Sequence, residues 1–205
     1  MRTIAGFRWW CLFILAAGLA LLASFWFDAD AQLWIAQHQN AGLRDFMRGV
    51  SRIGDWPEHV VLGLILLGLA YWRRSKKWTR IFAAIVLACA LAGAAARVVK
   101  ISAGRARPSV QTEVAWNGPN LSARNNAFPS GHTAASTAFF ATLALASWRI
   151  GLGFLAIPLL IAFSRMYVAA HYLSDVVCAS LIGVLAAYFV ARWLLSAIEN
   201  RQSEI

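Results

Sequence analysis

Six long apolar stretches, separated by short polar or charged segments, set the pattern of this chain. They cover residues 9–27, 57–72, 81–99, 133–148, 150–167 and 176–195. A helix needs about 20 mainly apolar residues to cross the hydrocarbon of a bilayer. The pattern therefore predicts an all-α fold, a polytopic membrane helix bundle of about six transmembrane helices. The second and fourth stretches are short for a span and leave the number open. Trp9, Trp10, Trp26, Trp72, Trp78, Trp148 and Trp193 fall near the ends of the stretches, where amphipathic rings sit at the headgroup level. The third stretch is rich in alanine, from Ala83 to Ala96. Small side chains let helices approach closely in lipid, so this helix is expected at the centre of the bundle. Pro158 should bend the fifth stretch.

The first stretch has two readings. Arg2 and Arg8 precede it and Ala29-Asp30-Ala31 follows it, which is the outline of a signal sequence and its cleavage site. Its apolar run is longer than the core of a usual signal, so a retained helix is expected.

Composition agrees with a membrane protein. The chain has 205 residues, 60% of them hydrophobic and only 14% charged, where soluble domains carry about a quarter charged residues. One domain over residues 1–205 is expected. The net charge of +10 raises nucleic acid as a partner. However, the densest basic run, Arg73, Arg74, Lys76, Lys77 and Arg80, lies between two apolar stretches, where short cytoplasmic loops collect Lys and Arg. No basic helix or aromatic-basic pattern accompanies the charge, so nucleic acid is set aside. Cys11, Cys89 and Cys178 lie singly in apolar surroundings without metal-ligand spacing and read as small buried residues.

With that basic loop inside, both termini are cytoplasmic and segments 28–55, 100–132 and 165–175 emerge on the other side. The first has no clear charge bias. The other two hold most of the polar residues with chemical potential. A bacterial inner membrane, with the site facing the periplasm, is the expected location.

Three short patterns stand out there. Lys100 and Arg107-Pro108 follow the third stretch, with Gly104 weakening the helix between them and Pro108 holding Arg107 extended. Taken alone, this pair reads as a basic fringe snorkelling to the interface. Pro129-Ser130-Gly131-His132 opens the fourth stretch, where the free N–H groups of a helix start favour an anion. Taken alone it is also an ordinary capped turn, although capping requires no imidazole. Ser164-Arg165 closes the fifth stretch, and His171 and Asp175 follow, four residues apart. In a helix those two would be neighbours, and a carboxylate on one imidazole nitrogen leaves the other free to attack. Asp175 could equally cap the last helix. Arg97, Arg105 and Arg124 are further cations without a place in any pattern.

In order and spacing, the three sets resemble the signature of the phosphatidic acid phosphatase type 2 superfamily: Lys, six residues, Arg-Pro; Pro-Ser-Gly-His; and Ser-Arg, five residues, His, three residues, Asp. Every position is matched. That family includes membrane lipid phosphatases, soluble acid phosphatases and vanadium haloperoxidases. The resemblance implies that His171 is the nucleophile, supported by Asp175. It implies that His132 protonates the leaving oxygen and later activates water. Lys100, Arg107, Ser130, Gly131 and Arg165 are well suited to clamp the phosphate oxygens, on which negative charge gathers in the transition state. The implied substrate is a lipid phosphate or diphosphate drawn from the bilayer, of the undecaprenyl diphosphate, phosphatidylglycerophosphate, phosphatidate or lipid A class. No metal and no cofactor are expected. A phosphotransferase using the same residues, a haloperoxidase, or a non-catalytic lipid-phosphate transporter are the alternatives. Nothing in the sequence speaks to the oligomeric state.

Overall fold

The structure, a computed structural model, describes residues 2–110 and 112–202, with side chains described over 8–110 and 112–194. The extreme termini, expected on the cytoplasmic side, lie outside the described residues. Nine α-helices follow one another among those residues: α1 (Arg2–Trp26), α2 (Asp28–Gln37), α3 (Ala41–Ile53), α4 (Trp56–Trp72), α5 (Lys76–Ala103), α6 (Gly131–Ala146), α7 (Trp148–Phe154), α8 (Ala156–Tyr167) and α9 (Leu173–Gln202). A single 3-10 turn, Ala123–Asn125, lies in the loop before α6.

Each of the six apolar stretches is helical. Four segments are long and apolar enough to cross a membrane: Arg8–Trp26, Lys76–Ala103, Trp148–Tyr167 and Leu173–Leu194. The two short stretches are α4, with 17 residues, and α6, with 16. Helices α3 and α4, bent by 52° at their junction, would together supply a fifth span. By length and composition alone that makes four or five spans, close to the expected number of about six. Large apolar side chains such as Leu15, Leu22, Leu64 and Ile65 stay exposed on α1 and α4, as lipid-facing surfaces require.

The alanine-rich stretch does sit at the centre. Ala84, Ala88, Cys89, Ala92 and Ala96 of α5 are buried against α6 and α9, together with Ala134, Ala138 and Phe139. Helix α9 approaches α6 at Gly183, where a Cβ would stand 2.7 Å from the Ala134 carbonyl oxygen and 2.9 Å from the Ala138 nitrogen. The fifth stretch breaks at Leu155 rather than at Pro158 itself. Pro158 has no N–H to offer the Phe154 carbonyl, so the helical ladder fails one turn earlier. A second cluster, with Ile35, Met47, Met166, Tyr167 and Val176, fastens α2 and α3 onto the ends of α8 and α9. The Tyr167 hydroxyl accepts from the Asn40 N–H at 3.2 Å, and Gln39 Nε2 donates to the Tyr167 carbonyl at 2.7 Å. Segment 28–55 is thereby folded over the end of the bundle where α5 and α8 stop and α6 and α9 start.

A Gly183→Val substitution should destabilise the protein by about 1–3 kcal/mol, because the new side chain meets backbone that cannot move aside. A lowered melting temperature in detergent would show it.

Candidate active site

The three patterns meet at this end of the bundle. Helix α5 carries Lys100 in its last turn and stops at Gly104, whose φ of 58° is left-handed. A Cβ there would lie 1.8 Å from the Gly118 carbonyl oxygen, so only glycine fits. The chain then runs between two loop segments. On one side Ala106 N–H donates to the Ala115 carbonyl at 2.9 Å and Asn117 N–H to the Gly104 carbonyl at 3.0 Å. On the other side Arg107 N–H donates to the Arg124 carbonyl at 3.0 Å and Ala127 N–H to the Arg105 carbonyl at 2.9 Å. Arg107 is therefore held by backbone bonds although it lies in no regular element.

Ser130 is fully buried and caps α6, its Oγ accepting from the Thr133 N–H at 3.4 Å and from the Thr133 hydroxyl at 3.0 Å. Its own N–H donates to the Asp175 carbonyl at 3.1 Å, which ties the start of α6 to the start of α9. In the first turn of α6 His132 Nε2 lies 3.4 Å from Asp55 Oδ1. Asp55, the cap of α4, played no part in the motif reading.

Helix α8 carries Arg165 in its last turn, and the guanidinium donates to the Ser51 hydroxyl. The chain then reverses. Ala169 N–H donates to the Met166 carbonyl and Ala170 N–H to the Arg165 carbonyl, while Ala169 takes a left-handed φ of 54°. This is the double hydrogen bond of a Schellman ending, with alanine where glycine is usual. The reversal places His171 just ahead of α9 instead of on it, so the expected one-turn pairing with Asp175 takes a different form. His171 is 1% exposed. Its Nδ1 lies 2.7 Å from the Ala127 carbonyl oxygen and 3.5 Å from Asp175 Oδ2. A carbonyl can only accept, so Nδ1 carries the proton and Nε2 keeps its lone pair. Gln32 Nε2 donates to the His171 carbonyl at 3.0 Å. Burial, reinforced by the charges of Lys100, Arg165 and Arg107, holds the imidazole well below its ordinary pKa. At neutral pH His171 is uncharged.

Asp175 lies in the first turn of α9. Its Oδ2 accepts from the Tyr172 N–H at 2.8 Å, reaching back as a capping-box residue does. Its Oδ1 accepts from Arg105 Nη1 at 2.6 Å. Arg105 had no motif role, yet it is buried, at 7% exposure. The same Nη1 also donates to the Ser174 hydroxyl at 2.7 Å, and Nη2 donates to Asp28 Oδ2 at 2.7 Å. Asp28 completes the arrangement by accepting from the Ser174 N–H at 2.8 Å and the Ser174 hydroxyl at 2.6 Å. The Arg105 guanidinium sits over the Tyr172 ring at 4.0 Å and the Trp116 ring at 4.9 Å. No local signal in the sequence marks this cluster, because Arg105 and Asp28 are 77 residues apart.

Two cavities flank the cationic cluster. One, of about 410 Å³, is lined by Trp56, Ala90, Gly93, Arg97, Lys100 and Gly131 and is largely apolar. The other, of about 590 Å³, is lined by Arg107, Ser109, Val110, Ala123 and Arg124. Loop 109–128 contributes Ser109, Val110, Ala123 and Arg124 to the second.

Arg105→Met would leave Asp28 and Asp175 buried without their cation, a change that costs about 3–5 kcal/mol. Asp28→Asn keeps the Arg105–Asp175 pair and should cost less than half of that. Thermal unfolding of the two variants in detergent, side by side, checks the order.

The chain is similar in sequence and in fold to known proteins. The sequence model of the PAP2 superfamily matches residues 81–199, which include all three patterns. The lipid A 1-phosphatase of Rhizobium etli is 30% identical over 193 residues, covering 86% of this chain and 81% of that protein. The lipid A 1-phosphatase of Porphyromonas gingivalis is 29% identical over 127 residues, 60% of this chain, and this chain spans 26% of its length. The fold is similar to that of a transmembrane PAP2 type phosphatidylglycerolphosphate phosphatase from Bacillus subtilis, with a TM-score of 0.63 at 18% identity over 89% of this chain and 92% of that one. It is also similar to Aquifex aeolicus LpxE, with a TM-score of 0.59 at 20% identity over 81% and 95%. By sequence and by fold, the chain belongs to the PAP2 superfamily.

Proposed function

We propose that the protein is a membrane phosphatase that hydrolyses a lipid phosphate or diphosphate through a phosphohistidine formed on His171. The observation that carries this reading is the setting of His171: buried, with Nδ1 2.7 Å from the Ala127 carbonyl oxygen, which leaves Nε2 as the nitrogen with a free lone pair, amid the charges of Lys100, Arg107 and Arg165. An uncharged imidazole with a fixed tautomer is a competent nucleophile, and the cations favour a phosphoryl group beside it.

In the first step Nε2 forms a bond to phosphorus as the bond to the leaving oxygen breaks, and His132 gives that oxygen a proton. In the second, His132 takes a proton from water, the hydroxyl oxygen bonds to phosphorus, and the phosphorus–Nε2 bond breaks to release inorganic phosphate. Lys100, Arg107 and Arg165 carry the charge that gathers on the equatorial oxygens, with Ser130 and the Gly131 N–H beside them. Asp55, 3.4 Å from His132, is placed to stabilise the imidazolium before the first step and after the second, against the burial and the Arg165 charge that push its pKa down to about 3. Asp175 supports His171 from 3.5 Å. The apolar cavity ending at Lys100 and Gly131 suits a lipid tail. The names of the relatives favour a phosphorylated lipid A or glycerophospholipid as substrate. The basic Arg73–Arg80 loop lies at the far ends of α4 and α5 from the site, so the positive-inside rule puts the site on the non-cytoplasmic face.

His171→Ala should lower phosphate release by roughly a thousandfold or more while the protein still inserts and unfolds normally. The assay is phosphate release by purified protein from detergent-solubilised lipid phosphates and diphosphates. Near-native activity of the variant would remove His171 from the chemistry. Because three side-chain cations serve the phosphate, activity should also persist in excess chelator. A loss there that magnesium restores would contradict the clamp as drawn.

A further inference from the structure

The clamp already brings three cations, Lys100, Arg107 and Arg165, to one phosphate, enough to match its charge. Three more arginines lie beyond it. The cavity of about 590 Å³ runs from Arg107 past Ser109 to Arg124. Ser109 also lines a neighbouring cavity of about 240 Å³, whose wall includes Gln39, Arg44, Arg48 and Tyr167. The two cavities therefore adjoin at Ser109, and no carboxylate lines either among the described residues.

These side chains are set on fixed backbone. Arg124 lies in the 3-10 turn Ala123–Asn125, and its carbonyl accepts from the Arg107 N–H at 3.0 Å. Its guanidinium makes no ion pair or hydrogen bond among the described residues. Arg44 donates to the Gln39 side-chain oxygen, while Gln39 is anchored on the Tyr167 carbonyl at 2.7 Å. Arg48 alone has a counter-ion, Asp45 at 3.0 Å. Arg124 and Arg44 thus present forked, charged donors without a carboxylate, the chemistry that binds phosphate in two-point fashion.

Resting on the phosphatase reading above, we propose that this basin is a second phosphate subsite, recognising a phosphate carried elsewhere on the headgroup of the same lipid. Its volume lies in the range that holds a small organic group, so the second phosphate is separated from the scissile one by a spacer of about sugar size. The preferred substrate is then a lipid with a polar headgroup phosphorylated at two separate positions. Its tail lies towards the apolar cavity at Trp56 and Gly93, its scissile phosphate in the clamp, and its second phosphate between Arg124 and Arg44.

The test uses the full-length protein in a neutral detergent, which removes any attraction to an anionic bilayer. Three probes are compared: phosphatidate, a polyprenyl diphosphate, and a disaccharide lipid phosphorylated at both ends. Binding is read by tryptophan fluorescence and hydrolysis by phosphate release, for the wild type, Arg124→Gln and Arg44→Gln. For the doubly phosphorylated disaccharide lipid, each substitution should weaken binding by about ten- to hundredfold more than it does for phosphatidate, the size expected of a lost charge-assisted hydrogen bond. An equal loss for all three lipids would mean a diffuse positive field and overturn the subsite. So would no loss at all, or a loss confined to the diphosphate. Absence of hydrolysis by the wild type would count against the phosphatase reading alone, since the binding comparison stands without turnover.

Discussion

The Arg105 guanidinium lies between two buried carboxylates, Asp28 and Asp175, and each contact is 2.7 Å or shorter. Taking three charges out of water is costly, and the arrangement is tolerable only because nearly every polar atom in it is used. Ser174 offers both its N–H and its hydroxyl to Asp28, and Tyr172 offers its N–H to Asp175. Through these bonds the start of α2, the segment after α5 and the first turn of α9 become one unit. The His171 imidazole hangs from the same unit twice. Asp175 stands beside it, and the Arg105 carbonyl accepts from Ala127, whose own carbonyl holds Nδ1.

Around that unit the site concentrates positive charge. Lys100 and Arg107 from the segment at the end of α5, and Arg165 from the last turn of α8, repel one another when no anion is present. The fold holds them by backbone bonds and by a single hydroxyl, Ser51, more than by counter-ions. The acidic residues nearby are committed elsewhere: Asp28 and Asp175 to Arg105, and Asp55 to His132 and the cap of α4. An unbalanced cluster of this kind is a preorganised field that favours an anion.

The sequence carried the helices and the motif well, for physical reasons. A span must be apolar along its length, and that leaves an unbroken signal. The motif residues lie within three short segments whose internal spacing is itself the signature. Their supports follow no such rule. Asp28, Ser51 and Asp55 all come from segment 28–55, which has no charge bias and no pattern, and each meets a partner far along the chain. Pairings across the fold impose no periodicity on the sequence, so Arg105 looked like any other basic residue beside the motif. Pro158 marks the fifth stretch as irregular, and the interruption lies at Leu155 because the missing N–H acts on the carbonyl four residues earlier.

The hydrogen bond from His171 to Ala127 has a consequence for how such a site could be mapped. The group that fixes the tautomer is a peptide carbonyl. It does not titrate, so the preference for Nδ1–H holds across the pH range in which carboxylates gain and lose protons. It also belongs to an alanine, so a scan replacing side chains one by one would pass over residue 127 without effect. Such a scan would credit the orientation of the His171 ring to Asp175 alone.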